Sequence, residues 1–193
     1  MKKEHMSDES KTPAPGDVLP YLNEIAERLW TNRAAIMVGS GFSKNASTEY
    51  PDWNQLGDIF YERVYGTKPG PEDCKYMNVM RLAEEVESAI GRPALENLIR
   101  SSIPDECVEP SKLHTKLLEL PWVDVFTTNY DTLLDRASAK ISTRKYEIVT
   151  NKEDIPYATK PRIVKLHGSF PSQRPFVITE EDYRRYPDDY SPF

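Results

Sequence analysis

Three short apolar runs, each halted by a glycine-containing or polar cluster, constrain this chain more than any other feature. Residues 33–38 (RAAIMV) stop at Gly39-Ser40-Gly41-Phe42-Ser43, residues 122–127 (WVDVFT) at Thr128-Asn129-Tyr130-Asp131, and residues 163–166 (IVKL) at His167-Gly168-Ser169. Short apolar runs bounded by turn formers read as buried strands. A weaker strand pattern covers residues 146–149. Helical periodicity fills the intervals. Val18, Leu19, Leu22, Ile25, Ala26, Leu29 and Trp30 share one helical face behind Asp17, a capping residue; residues 53–65, 76–90, 93–102 and 111–118 follow the same period, and another helix begins near Asp131. The breaker-rich GTKPGPEDC, residues 66–74, separates two of them. Strands alternating with helices predict an α/β fold: a three-layer, Rossmann-like parallel sheet with a helical lobe inserted after the first strand and a ligand at the strand ends.

Size and composition narrow the class. A chain of 193 residues with 38% hydrophobic content supports one core, placed over residues 17–193. Residues 1–16 carry charge, Ser and Pro with almost no apolar surface and are expected to form a flexible tail. The formal charge of −6 gives no general pull toward nucleic acid or anionic lipid, so direct nucleic-acid binding is not expected. Cys74 and Cys107 stand far apart, outside any Cys-x-x-Cys pair, which predicts reduced, structural thiols and no thiolate metal site. With no apolar run near the roughly 18 residues of a membrane span and no secretory signal pattern, a cytoplasmic location is expected.

The clusters carry different chemistry. Glycines at 39 and 41, where a strand hands over to a helix, let backbone approach a pyrophosphate, and free amides there favour an anion; a tight strand-to-helix turn would use the same residues. Lys44 stands where the usual G-x-G-x-x-G has its third glycine, so the dehydrogenase fingerprint is absent. Asn129 offers a donor and an acceptor for a ribose hydroxyl or a water, and Asp131 an acceptor for a carboxamide N–H; helix capping is the competing role of both. His167 can take a proton near neutral pH, although a lone histidine is more often structural. His5 falls in the tail and His114 on a helix, neither beside another candidate group in sequence.

In order and spacing these segments resemble the sirtuins. Gly39-Ser40-Gly41-Phe42-Ser43 resembles their Gly-Ala-Gly-x-Ser, Thr127 to Asp131 their Thr-Gln-Asn-x-Asp, and His167-Gly168 their catalytic His-Gly. Pro51-Asp52-Trp53 and Ile178-Thr179-Glu180-Glu181-Asp182-Tyr183 resemble segments of the bacterial NADase and antiphage-defence branch. The resemblance implies NAD as substrate and cleavage of its nicotinamide-ribose bond to nicotinamide and ADP-ribose. Asn129 and His167 would be catalytic, with Gly39, Ser40, Gly41, Phe42, Ser43, Thr128, Asp131 and Gly168 binding the dinucleotide. It further implies a homo-oligomeric effector with a bacterial defence partner, an ATPase or an Argonaute-like protein. Residues 168–193 contain no cysteine, so the zinc module of protein-deacylating members is not built there and water replaces acyl-lysine as nucleophile. A deacylase without that module and a noncatalytic NAD- or ADP-ribose-binding scaffold are the rival readings. The branch usually continues past the Ile-Thr-x-x-Asp-Tyr segment, so the domain is expected to be incomplete at its C-terminus and a weak NAD binder alone.

Overall fold

The computed structural model describes residues 18–170 and 176–190; the expected tail and the Asp17 cap lie outside them. Four strands, β1 (Ala35–Val38), β2 (Asp124–Thr127), β3 (Glu147–Val149) and β4 (Arg162–Lys165), form one parallel sheet in the order β1-β2-β4-β3. Helix α1 (Leu19–Trp30) precedes the sheet, and a single turn, α2 (Ser40–Ser43), follows β1. Helices α3 (Trp53–Tyr65), α4 (Pro71–Tyr76), α5 (Val79–Ile90) and α6 (Arg92–Ser102) make the inserted lobe. Then come α7 (Lys112–Glu119), α8 (Leu133–Ser138) after β2, and α9 (Glu180–Tyr190) after β4. The expected α/β class, Rossmann-like sheet and inserted lobe are borne out.

Register does the positioning. Val38 pairs with Thr127 and Thr127 with Lys165, so three strands end level and their polar turns emerge side by side. The central strand β4 is buried throughout, and Ile163 and Val164 are sealed from water, each side chain stabilising the fold by about 1.5–3 kcal/mol. β1 differs from the buried strand expected: it pairs on one side only among the described residues, and Met37 is 60% exposed. α1 likewise has no buried residue, and its apolar side, Leu22, Ile25 and Trp30 included, faces outward.

Two apolar clusters flank this frame. One joins the sheet to α7 and α8 through Val38, Leu118, Val125, Leu134, Ala137 and Ile163. The other fills the lobe with Leu56, Phe60, Leu82, Val86, Leu95 and Ile99 and reaches the strand ends through Tyr130, Phe176 and Ile178. Caps explain the lobe's boundaries. Asp52 Oδ1 accepts from Gln55 N while Gln55 Oε1 accepts from Asp52 N, a capping box that starts α3, and Gly66 at φ 72° ends it. The breaker-rich segment holds a helix that periodicity does not reveal: Pro71 occupies the first turn of α4, and Asp73 Oδ2 accepts from Gly70 N. α9 is the other helix absent from the sequence reading; its strongly polar surface and Pro187 hide the period. Both cysteines are free and exposed, so neither packs in the core as structural thiols would. Among the described residues no helix is long and apolar enough to cross a membrane.

Gly57 sits where α3 crosses α5. A Cβ there would lie 2.8 Å from Val79 Cγ2 and 3.1 Å from Met77 Cε. Alanine gains about 1 kcal/mol of helix propensity, but the stiff β-branched Val79 cannot swing aside and overpacking costs about 1–3 kcal/mol. Gly57→Ala should therefore lower the thermal midpoint; an increase in calorimetry would show that the two helices separate freely.

Candidate functional site

The level strand ends open into a cavity of about 290 Å³, at the low end of the range for ligand pockets. Its walls bring together Gly39, Ser40 and Ser43 after β1, Thr128, Asn129 and Asp131 after β2, and His167 after β4. Gly41, Phe42 and Gly168 do not line it. Gly41 and Phe42 face a separate depression beside Met37 and Leu117, and Gly168, at φ 96°, allows the chain to turn away after His167.

A chain of hydrogen bonds joins the first two clusters. Asn129 Nδ2 donates to Ser43 Oγ at 3.0 Å, and Ser43 Oγ donates to Asp131 Oδ2 at 2.8 Å. Because the single hydroxyl proton of Ser43 goes to the carboxylate, its oxygen must accept from Asn129, which fixes the amide orientation. Asn129 is only 7% exposed, and its Oδ1 is buried without a hydrogen-bond partner. An orphaned buried acceptor costs about 1–3 kcal/mol, so this one is paired to best effect by a donor entering the cavity. Thr127 holds the loop in place: its Oγ1 donates to Val38 O at 2.9 Å and accepts from Asn129 N at 3.0 Å. Thr127 lacks a role in the sequence reading because a β-branched residue at a strand end looks like ordinary sheet composition.

Asp131 combines the two roles open to it in sequence. Its Oδ1 accepts from Leu133 N at 3.1 Å, at the start of α8, while Oδ2 faces Ser43. Burial pushes its carboxyl above the ordinary aspartate range, against the pull of Lys165 and of the Ser43 and Leu133 hydrogen bonds. Lys165 is itself buried, with its side chain 1% exposed; its Nζ donates to Asp131 O and pairs with Asp135 Oδ2 at 3.1 Å. Removing one partner of such a pair typically costs about 3–5 kcal/mol. Lys44 Nζ bonds both Asp52 Oδ2 and Gln55 Oε1 at 2.7 Å, tying the glycine turn to the cap of α3. Pro51-Asp52-Trp53 thus serves as a helix start and as cavity wall together. Tyr50, Leu56, Ile103, Tyr130 and Tyr183 complete the wall; these are apolar or aromatic positions on segments distant in sequence, and the fold gathers them.

His167 faces the cavity, 9% exposed, with Tyr183 Oη 3.5 Å from its Nδ1. His114 is not the bystander that its sequence neighbourhood suggests. It is buried, its Nδ1 lies 2.9 Å from Ser111 Oγ, and its ring meets Phe42 edge-on with centroids 4.8 Å apart, so it supports the back of the glycine turn.

Residues 123–193 match a family model described as a SIR2-like domain. The chain is 28% identical over 183 residues to "Defense-associated sirtuin 2" of Bacillus subtilis, an overlap that covers 90% of this chain and 17% of that protein. It is 27% identical over 174 residues to "NAD(+) hydrolase ThsA" of Enterococcus faecium, covering 87% of this chain and 34% of the relative. A protein of the same name from Acinetobacter baumannii (strain 532279) is 29% identical over 184 residues, covering 89% and 35%. The chain therefore spans about a third or less of the curated relatives it matches. The sirtuin-like resemblance drawn from the motifs is borne out.

Two outcomes follow from the buried groups. Burial, with Arg136 nearby, lowers His114 to about 4 from an ordinary 6.5. The unfolded chain then binds this proton more readily than the folded one, so stability is complete above about pH 6.5 and falls as pH drops toward 4, by up to about 3 kcal/mol. Denaturant titrations across that range should show the loss in the wild type and a flatter profile for His114→Phe; parallel profiles would assign the acid sensitivity elsewhere. Asp131 has the opposite sign for an acid: raised in the fold, it costs stability at pH 7, and the cost disappears below about pH 4. Asp131→Asn should thus melt no lower than wild type at pH 7, with the difference closing on acidification. A persistent lower midpoint at pH 7 would mean that Lys165 outweighs burial.

Proposed function

We propose, from the SIR2-like domain that this chain carries, that it hydrolyses NAD at the nicotinamide-ribose bond, giving nicotinamide and ADP-ribose. The observation that carries the reading is the convergence of the Asn129–Ser43–Asp131 chain and His167 on one cavity, with the Asn129 Oδ1 acceptor buried and unpaired within it. The glycine turn fits a dinucleotide as well. Apart from its chain neighbours, nothing among the described residues lies within 4 Å of a Cβ built at Gly39, which lines the cavity, so packing does not demand glycine there, and close approach of a ligand phosphate supplies a reason for it. α2 has only one turn, so this contact relies on free amides more than on a helix dipole.

In this mechanism Asp131 accepts from the nicotinamide carboxamide, and Asn129 Oδ1 accepts from the attacking water or a ribose hydroxyl. The bond from ribose C1′ to the nicotinamide nitrogen breaks, its electron pair leaving with nicotinamide and neutralising the pyridinium. Water oxygen bonds to C1′, and its proton passes to His167 as general base. Positive charge developing on the ribose during this step is met by a site already ordered around it. The relatives' names, a defence-associated sirtuin and an NAD(+) hydrolase, support NAD hydrolysis in a defence setting. We extend the proposal to a homo-oligomeric, cytoplasmic effector released by a defence partner, an ATPase or an Argonaute-like protein.

The test is chromatography of the products after the full-length protein is incubated with NAD. Nicotinamide and ADP-ribose should appear, and Asn129→Ala and His167→Ala should each reduce turnover by about a hundredfold or more with the fold retained. Acyl-ADP-ribose formed only with an acylated peptide would instead indicate a deacylase, and binding without turnover a scaffold. Near-normal cleavage by a folded His167→Ala would remove the histidine from its role.

A further inference from the structure

Ile178-Thr179-Glu180-Glu181-Asp182-Tyr183 has a physical reading that its motif does not supply. Val177 N donates to His167 O at 3.0 Å, which lays residues 176–178 beside the histidine turn. Thr179 then caps α9. Its Oγ1 accepts from Asp182 N at 3.1 Å, while Asp182 Oδ2 accepts from Thr179 N at 3.0 Å and from Ile178 N at 2.9 Å. This is a capping box with Asp in the place of Glu or Gln.

The same carboxylate oxygen receives Arg92 Nη1 at 2.9 Å. Arg92 opens α6 in the lobe, and it also pairs with Glu87 at 3.2 Å and Glu96 at 3.1 Å and donates to Phe176 O. Burial raises Asp182, but the Thr179 and Ile178 amides and Arg92 outweigh it and hold the carboxyl below its ordinary range. A charged box of this kind leaves the first turn of α9 little freedom.

The residue that follows the box is Tyr183. Its ring meets His167 edge-on with centroids 5.3 Å apart, its Oη stands 3.5 Å from Nδ1, and Tyr186 flanks the same imidazole edge-on at 5.5 Å. Burial, reinforced by Tyr186 and Asp182, raises the Tyr183 hydroxyl, so the group near the imidazole is a neutral phenol. The separation is at the outer limit of a hydrogen bond, as contacts of this kind often are before substrate tightens the site.

We propose that Tyr183 is a positioning residue for His167: its phenol oxygen accepts from Nδ1–H and so selects the ring orientation and tautomer that turn Nε2 toward the substrate. Tyr183 acts through the histidine, and the Thr179–Asp182 box with Arg92 sets where it stands. The inference rests on the reading of His167 as general base, in which a wrong tautomer cannot take the proton.

The test combines imidazole NMR with kinetics on the full-length protein. In long-range ¹H–¹⁵N spectra of histidine-labelled protein, the His167 signals, identified by their loss in His167→Gln, should report the Nδ1–H tautomer in the wild type. Tyr183→Phe keeps the ring contact and removes only the hydroxyl. It should shift those signals toward a mixed tautomer while leaving the His114 signals in place, and should lower kcat about tenfold or more with KM within about twofold. Unchanged His167 signals in Tyr183→Phe would overturn the proposal, as would a shifted tautomer with unchanged kcat. A wild type that cleaves no NAD would sink the functional reading, and the ring spectra would then decide the positioning alone.

Discussion

The hydrogen-bond ladder that brings Val38, Thr127 and Lys165 level at one end of the sheet is the constraint on which the rest depends. Parallel strands emit their loops from the same edge only when their ends agree in register, and a slip of one residue would turn every side chain to the opposite face. Here the agreement is reinforced from side chains. The Thr127 hydroxyl bridges the end of β1 to the Asn129 amide, and the Lys165 ammonium, at the end of β4, reaches the Asp131 carbonyl. The chemistry of the cavity is thus an extension of the ladder by polar side chains, and Ser43 is the junction at which the β1 and β2 turns meet.

That arrangement costs stability. Asp131 is buried with its carboxyl pushed upward, Lys165 is sealed among protein atoms, and Asn129 keeps an acceptor unpaired. A chain selected for stability alone would place apolar groups at such positions. Their energetic cost is offset by the two apolar clusters, which both border the site in sequence, Val38 of one preceding Gly39 and Tyr130 of the other standing between Asn129 and Asp131. Groups held against their solvation preference at a cavity wall are the pattern expected where binding and catalysis need preorganised dipoles.

The sheet and the three polar turns were legible in the sequence because apolar runs of four to six residues end abruptly, and the lobe helices because Leu56, Phe60, Leu82 and Val86 keep a strict helical period. What escaped did so for identifiable reasons. Pro71 and Gly70 suppress a helix reading unless their positions at the first turn are recognised, and α9 has too few apolar residues to show a period. The exposure of β1 is invisible to composition, since AIMV reads the same at an edge as in the centre. Among site residues, Asn129, Asp131 and His167 stood out by type. Thr127, Lys165 and Tyr183 did not, because the fold alone brings them to their partners: His167 is 16 positions from Tyr183, Asp131 is 34 from Lys165 and Val38 is 89 from Thr127.

The lobe supplies more than a wall. Arg92 reaches from α6 to Asp182 on α9, and α5 and α9 are in direct contact, so the helix bearing Tyr183 is fastened to the insertion as much as to the strand that precedes it. Lys44 makes the complementary link from the glycine turn to the cap of α3. Both links are ionic and partly exposed, worth little as stability alone, yet each fixes an element that carries a cavity residue. A rigid displacement of the lobe would therefore move Trp53 and Tyr183 together while the Asn129–Ser43–Asp131 chain stayed with the sheet. The geometry around His167 is consequently sensitive to how the lobe sits, and the Lys44 link beside Ser43 is what would have to give for the polar junction to stay with the sheet.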